Sequence, residues 1–156
     1  MKYKLTDETI LFNGKVLRRI QALKDFGGVK AGEFGGWIES EDNLSQEGDC
    51  WVYDNALVSD GARIFDNAQV SDGARIFDNA QVCDDARVYD YARVYDNACV
   101  SDGARIFDNA RVSGNALVSD SAQVYDYARV YDYARVSGNA LVSDSAQVCL
   151  SLIHIS

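Results

Sequence analysis

From Val52 to Val148 every sixth residue is Val or Ile, seventeen positions without interruption, and an alanine stands four residues after each of the first sixteen. The alanine and the next aliphatic residue are two apart, as in Ala56-Leu57-Val58. On an extended strand they face the same way, and that side is the interior. The residue between them (Leu57, Arg63, Gln69, Arg75) and the one after the aliphatic (Ser59, Phe65, Ser71, Phe77) then point outward. The two remaining positions are a corner, and fourteen of the sixteen first corner positions are Asp. Ten of the sixteen second positions are Asn or Gly, and these are expected to take the positive φ of a sharp bend while Asp hydrogen-bonds the corner. On that reading Tyr91, Tyr127 and Tyr133, at second corner positions, each cost on the order of 1–2 kcal/mol.

A helix is excluded, because a valine every sixth residue advances 600° and circles the axis instead of lining one face. A hairpin sheet would need longer alternating runs than this chain has. The period therefore predicts an all-β solenoid whose repeats cannot fold alone. Each wall is a parallel sheet that grows by one short strand per turn, with strands ~4.8 Å apart.

The first fifty residues are built differently and hold all five lysines and all five glutamates. Lys4-Leu5-Thr6 and Thr9-Ile10-Leu11-Phe12 read as strand, Asn13-Gly14 as a two-residue hairpin turn, and Lys15 to Leu23 as the returning partner. Trp37-Ile38 resumes extended structure, and Leu44 follows Ile38 by six, but Val52 follows Leu44 by eight, an insertion of two before the regular shaft. We read 1–50 as a β-hairpin cap leading into the solenoid, 51–149 as the hexad shaft and 150–156 as a non-repeat tail. A cap is needed because a bare solenoid end exposes a sheet edge and a wet core.

The hexad is similar to the hexapeptide repeat of left-handed parallel β-helix proteins, a resemblance that implies a left hand, three hexads or eighteen residues per turn, and just over five turns for the repeats. This chain departs from that pattern by carrying Ser, Phe, Tyr or Cys, not Gly, directly after the aliphatic, which leaves a right-handed coil as the alternative. A sharper resemblance lies in Asp25-Phe26-Gly27-Gly28-Val29-Lys30-Ala31-Gly32, Gly35-Gly36-Trp37-Ile38 and Asp42-Asn43-Leu44-Ser45-Gln46-Glu47-Gly48-Asp49-Cys50-Trp51-Val52-Tyr53. This stretch resembles the head of the YdcK-like β-solenoid family of bacteria and their prophages over residues 2–56, with only the generic hexad shared beyond. That family carries a transferase label by analogy of fold. The tail Leu150-Ser151-Leu152-Ile153-His154-Ile155-Ser156 resembles the translation of a transposon end used in sequencing libraries. It is expected to be artificial, with a genuine short cap as the alternative, and deleting 150–156 is expected to leave folding unchanged.

Charge narrows the function classes. The net charge is −9, and the shaft carries fifteen Asp and eight Arg without Lys or Glu. Such a surface disfavours nucleic acid, whose binding needs cationic side chains. No run of apolar residues is long enough to span a membrane and no signal-peptide core follows Met1, so a cytoplasmic protein is expected. Cys50, Cys83, Cys99 and Cys149 lack metal-ligand spacing and are read as free thiols. The Asp corners could offer oxygens to calcium, but capping of corner N–H groups, helped by nearby Arg, is the simpler use. No cofactor, metal or small-molecule ligand is expected.

Acyltransferases of the hexapeptide fold resemble one another in using a histidine base and loops that interrupt the coil. Here the hexads run unbroken and the one histidine, His154, lies in the tail, so no catalytic residue is assigned. With eighteen residues per turn, Arg75, Arg93, Arg111 and Arg129 form a column, flanked on the same wall by Phe77, Tyr95 and Tyr131; Arg beside aromatics is typical interface material. Residues 59–70 recur at 71–82 and 113–124 at 137–148. Copying in units of twelve moves outward groups to another wall, which suits a rod better than a reaction centre. The sequence thus predicts a non-catalytic structural or protein-binding rod of bacterial or prophage origin, binding an unidentified protein or itself through a wall or the C-terminal edge. The alternatives are a hexapeptide acyltransferase relative whose active site is missing or lies between subunits, and an acidic DNA mimic that inhibits a nucleic-acid-binding protein.

Overall fold

The computed structural model describes all 156 residues and is built from strands, with one 3-10 turn at Glu41–Asn43. Three strands form the cap: β1 (Tyr3–Phe12), β2 (Lys15–Ala22) and β3 (Phe34–Ile38). β1 and β2 are the antiparallel hairpin, turning at Asn13-Gly14 with a register shift between Leu5 and Thr9. β2 pairs antiparallel with β3, and β3 pairs parallel with Leu57–Val58, the next strand of the same wall. Beyond β3 the chain forms three parallel sheets in which residue i lies beside residue i+18, as Val82, Val100 and Val118 do.

The first wall continues from β3 through Leu57–Val58, Arg75–Ile76, Arg93–Val94, Arg111–Val112 and Arg129–Tyr131 to Gln147–Cys149. The second begins at Trp51–Val52 and ends at Leu141–Val142; the third begins at Arg63–Ile64. Leu44 bridges to Ile64 on the third wall, across the two-residue insertion. At the other end the tail strand Leu152–Ile155 pairs with Arg135–Gly138 and extends that wall. Stacking therefore reaches beyond the hexads at both ends, with seven parallel strands on the first wall counted from β3.

The interior is the predicted spine. Every hexad Val or Ile and every hexad Ala from residue 58 to residue 136 is at most 1% exposed. Each aliphatic side chain contributes about 1.5–3 kcal/mol by leaving water. Backbone N–H groups bond to carbonyls one turn on, as Arg75 N does to Ala92 O at 3.0 Å.

The corners correct one expectation. The residue with positive φ is the Asp, not the Asn or Gly after it: every first corner position from Asp54 to Asp144 has φ between 55° and 66°, including Gly114 and Gly138 where Asp is replaced. Tyr91, Tyr127 and Tyr133 have no positive φ and carry no such cost. Asp can hold this conformation because its carboxylate accepts from the corner N–H eighteen residues later. Asp60 accepts from Asp78 at 3.1 Å, Asp78 from Asp96 at 3.1 Å and Asp108 from Asp126 at 3.1 Å. The carboxylates do cap the corners, but not with help from shaft arginines, since the five ion pairs all use Lys15, Arg18, Arg19 or Lys30.

The ladder gives a direct prediction. Asp78→Ala removes the acceptor for Asp96 N–H and places a Cβ residue without local hydrogen bonding at φ 58°, a loss of about 2 kcal/mol. Asp78→Asn keeps an acceptor and tolerates the conformation, so it costs about 0.5 kcal/mol. Urea unfolding distinguishes them, and equal midpoints for the two variants would remove the ladder from the account of the fold.

The cap closes the N-terminal end with aromatic packing. Trp51 is 1% exposed, with Tyr3 and Phe26 edge-on to it at centroid distances of 6.0 and 5.2 Å. Lys2 is buried, its ammonium 4.8 Å from the centre of the Phe26 ring, and donates to Cys50 O at 2.8 Å and Gly48 O at 3.3 Å. Burial lowers the Lys2 pKa and raises that of the Cys50 thiol beside it. Buried Asn43 fastens the cap to the first coil, its amide donating to Asp60 O and Ala62 O at 3.0 and 2.9 Å. No helix is long and apolar enough to cross a membrane.

Candidate functional site

Parallel register on the first wall brings Arg75, Arg93, Arg111 and Arg129 side by side on successive turns. Adjacent strands put like charges ~4.8 Å apart at the backbone. No carboxylate lies within 4.0 Å of any of the four guanidinium groups. Burial, then Arg75 and Arg111, pushes the Arg93 pKa down, as expected for a cation held among cations. At the cap end, the Arg75 guanidinium sits 4.9 Å from the centre of the Phe12 ring, so the hairpin tip covers the start of the column.

Phe77 and Tyr95 stack at 5.0 Å with an interplanar angle of 1°. The second wall shows the same ladder carried through three turns, Tyr89, Phe107 and Tyr125, at 5.0 Å per step and within 3° of parallel. On the first wall it stops, because Ser113 occupies the next step. Tyr131 therefore stands two turns from Tyr95, its hydroxyl directed to Gln147 at 3.5 Å. The predicted column is assembled, and of its three aromatics two touch while the third is set apart.

Sequence reading missed the other side of the column. Tyr91 and Tyr127, regarded there only as awkward corners, are 71% and 68% exposed and flank Asn109. Concavities of about 340 and 360 Å³ lie on either side of Arg111, the first lined by Tyr91, Asn109 and Tyr127, the second by Tyr95, Ser113 and Tyr131. The signal was in the text of the repeat: Tyr-Ala-Arg-Val-Tyr at 91–95 and again at 127–131, with Asn-Ala-Arg-Val-Ser at 109–113 between them.

Two other clusters complete the chemistry of the surface. Ligand atoms of Asp66, Cys83 and Asp84 lie within 4.8 Å of one another, but burial, then Cys99 and the nearby aspartates, pushes the Cys83 thiol up to about 12. A cation bound there would have to displace that proton. On the tail strand, His154 Nδ1 lies 2.9 Å from Ser137 Oγ of the neighbouring strand, and no carboxylate is hydrogen-bonded to that imidazole. All four cysteines are free.

An eighteen-residue coil with three parallel walls and an unbroken aliphatic spine defines the molecule as a β-solenoid repeat protein. Its shaft matches the family described as YdcK Beta solenoid repeat at residues 80–94, 104–120, 110–126 and 134–149. A curated protein of Escherichia coli (strain K12) named "Uncharacterized acetyltransferase YdcK" is 44% identical over 72 residues, covering 40% of this chain and 22% of the relative. Both matches support kinship with the YdcK-like β-solenoid family. The family matches fall on the shaft, where sequence reading had credited only a generic hexad, and the chain spans about a fifth of the length of this relative.

Proposed function

We propose that this chain is a non-catalytic, protein-binding rod of bacterial or prophage origin that works in the cytoplasm. The observation that carries the reading is a column of four arginines without carboxylate partners, flanked by exposed tyrosines, on a shaft whose interior is filled by valine and alanine. Arg and Tyr are the residue types that dominate protein interfaces. Four concavities of the shaft are bounded by outward and corner side chains, and the spine lines none of these four. Contact between copies, through a wall or the C-terminal edge, belongs to the same reading.

The test is capture of bacterial proteins on the immobilised chain, repeated with Arg75, Arg93, Arg111 and Arg129 all changed to Gln. A partner retained by the native chain and lost by the variant is the expected result. Retention of nothing, or equal retention by both, would reject the reading.

A second reading, a relative of hexapeptide acyltransferases, is favoured by the name of the Escherichia coli protein. In that case the reaction centre would come from residues outside this chain or from a second subunit. Release of free CoA from acetyl-CoA in the presence of amine acceptors, above the buffer rate, would support it and overturn the non-catalytic proposal.

A further inference from the structure

The two concavities beside Arg111 belong to one feature. Turn 109–113 carries Asn, Arg and Ser outward, while the turns before and after it carry Tyr, Arg and Tyr at the same three places. One low turn between two high ones makes a trench across the wall, perpendicular to the rod axis. Its lips are Tyr91 and Tyr95 on one side and Tyr127 and Tyr131 on the other. At ~4.8 Å per turn the lips are about 9.6 Å apart, which leaves room for one further ring at the stacking distance on each side. The intact second-wall ladder shows that 5.0 Å per ring is the spacing this coil imposes. The floor is open because Ser113 and Gly114 stand where Tyr and Asp stand one turn on.

Charge selects what enters. Arg111 lies at the centre of the trench with Arg93 and Arg129 on its lips, and none has a carboxylate within 4.0 Å; Asp96 and Asp132 also line the second concavity, the Asp96 carboxylate accepting from Gly114 N–H at 3.0 Å. From Asn109 to Ser113 is four residues, about 13 Å of extended chain. Side chains at positions i, i+2 and i+4 of an extended peptide face one side over that same span.

We propose that the turn 109–113 is a docking trench for an extended segment of a partner protein that presents aromatic, carboxylate and aromatic side chains at alternate positions. The two rings enter beside Asn109 and Ser113, between the tyrosines of the neighbouring turns, and the carboxylate meets the guanidinium of Arg111. The proposal rests on the protein-binding reading above and gives that partner its chemistry. Single-stranded nucleic acid also offers rings and anions, but a chain of net charge −9 repels a polyanion along most of its length. A free aromatic acid fills one slot and leaves the other empty.

The test is isothermal titration of the full chain with the acetylated, amidated peptide Trp-Ser-Glu-Ser-Trp. The same peptide with Gln in place of Glu, indole-3-acetate and an oligothymidylate are titrated in parallel. Saturable binding of the Glu peptide is expected, at least tenfold weaker for the Gln peptide and for Arg111→Gln. Ser113→Tyr completes the first-wall ladder, so it should abolish binding while its urea midpoint stays equal or rises. Arg111→Gln, an outward substitution that leaves the spine untouched, keeps the test decisive if Ser113→Tyr folds poorly. No saturable heat with the Glu peptide, or undiminished affinity in both variants, would overturn the trench. Tighter binding of indole-3-acetate or oligothymidylate than of the peptide would overturn the choice of occupant. If a partner captured from lysate stays on the Ser113→Tyr chain but leaves the four-arginine variant, the trench fails and the rod reading stands.

Discussion

Val100→Asp is expected to abolish the cooperative unfolding transition and leave the chain largely insoluble. Val100 is fully buried on the third wall, between Val82 and Val118, with the other two walls closing the interior opposite it. A carboxylate there has no donor and cannot reach water, because the neighbouring spine positions are valine, isoleucine and alanine. The cost is at least about 4 kcal/mol whether the acid ionises or takes up a proton. In a stack where each turn contacts only its neighbours, one broken turn also uncouples the two halves. Val100→Ile, which adds a single methylene, should cost about 1 kcal/mol and keep one transition. A Val100→Asp protein with an unchanged urea midpoint would mean that this spine is not the core.

Trp51→Ala should cost about 3–5 kcal/mol, the usual result of emptying a large aromatic site. Its ring holds Tyr3 and Phe26 edge-on. It also lies so close to the backbone at Gly35 that a Cβ there would come within 2.8 Å of it. Loss of the ring should loosen the hairpin from the coil and uncover the edge that β3 presents. The measured signature is a lowered first transition, with the shaft's far-ultraviolet circular dichroism retained and concentration-dependent light scattering. A single unshifted transition without scattering would mean that the cap does not protect the coil.

The site was partly legible before any coordinates. The eighteen-residue spacing aligns Arg75, Arg93, Arg111 and Arg129, and strand pairing sets the four side by side on successive turns. Phe77 and Tyr95 were placed on one wall and do stack. Tyr91 and Tyr127 were not recognised, because a corner residue was judged by its backbone cost and not by what it overhangs. That judgement rested on giving the positive φ to the second corner residue. Either of two adjacent corner residues can take that conformation, and sequence has no term that compares them. The stacked acceptor settles it, since Asp at the first position caps the N–H of the next turn and Asn at the second does not.

By itself the sequence determined the kind of object this is. Six-residue spacing of Val and Ala leaves one periodic way to bury the apolar side chains, and it states which residues are inside and which are outside. Asn13-Gly14 and the change in composition before residue 51 likewise marked a hairpin and a separate cap. The tertiary structure alone decided how the turns meet. It gave the αL conformation to the Asp, sent the Asp carboxylates up the rod instead of to arginine, and set a low turn between two high ones so that two small concavities share Arg111 and Arg129. Those outcomes depend on side chains eighteen residues apart meeting at ~5 Å, a distance that stacking creates and that no local run of residues contains.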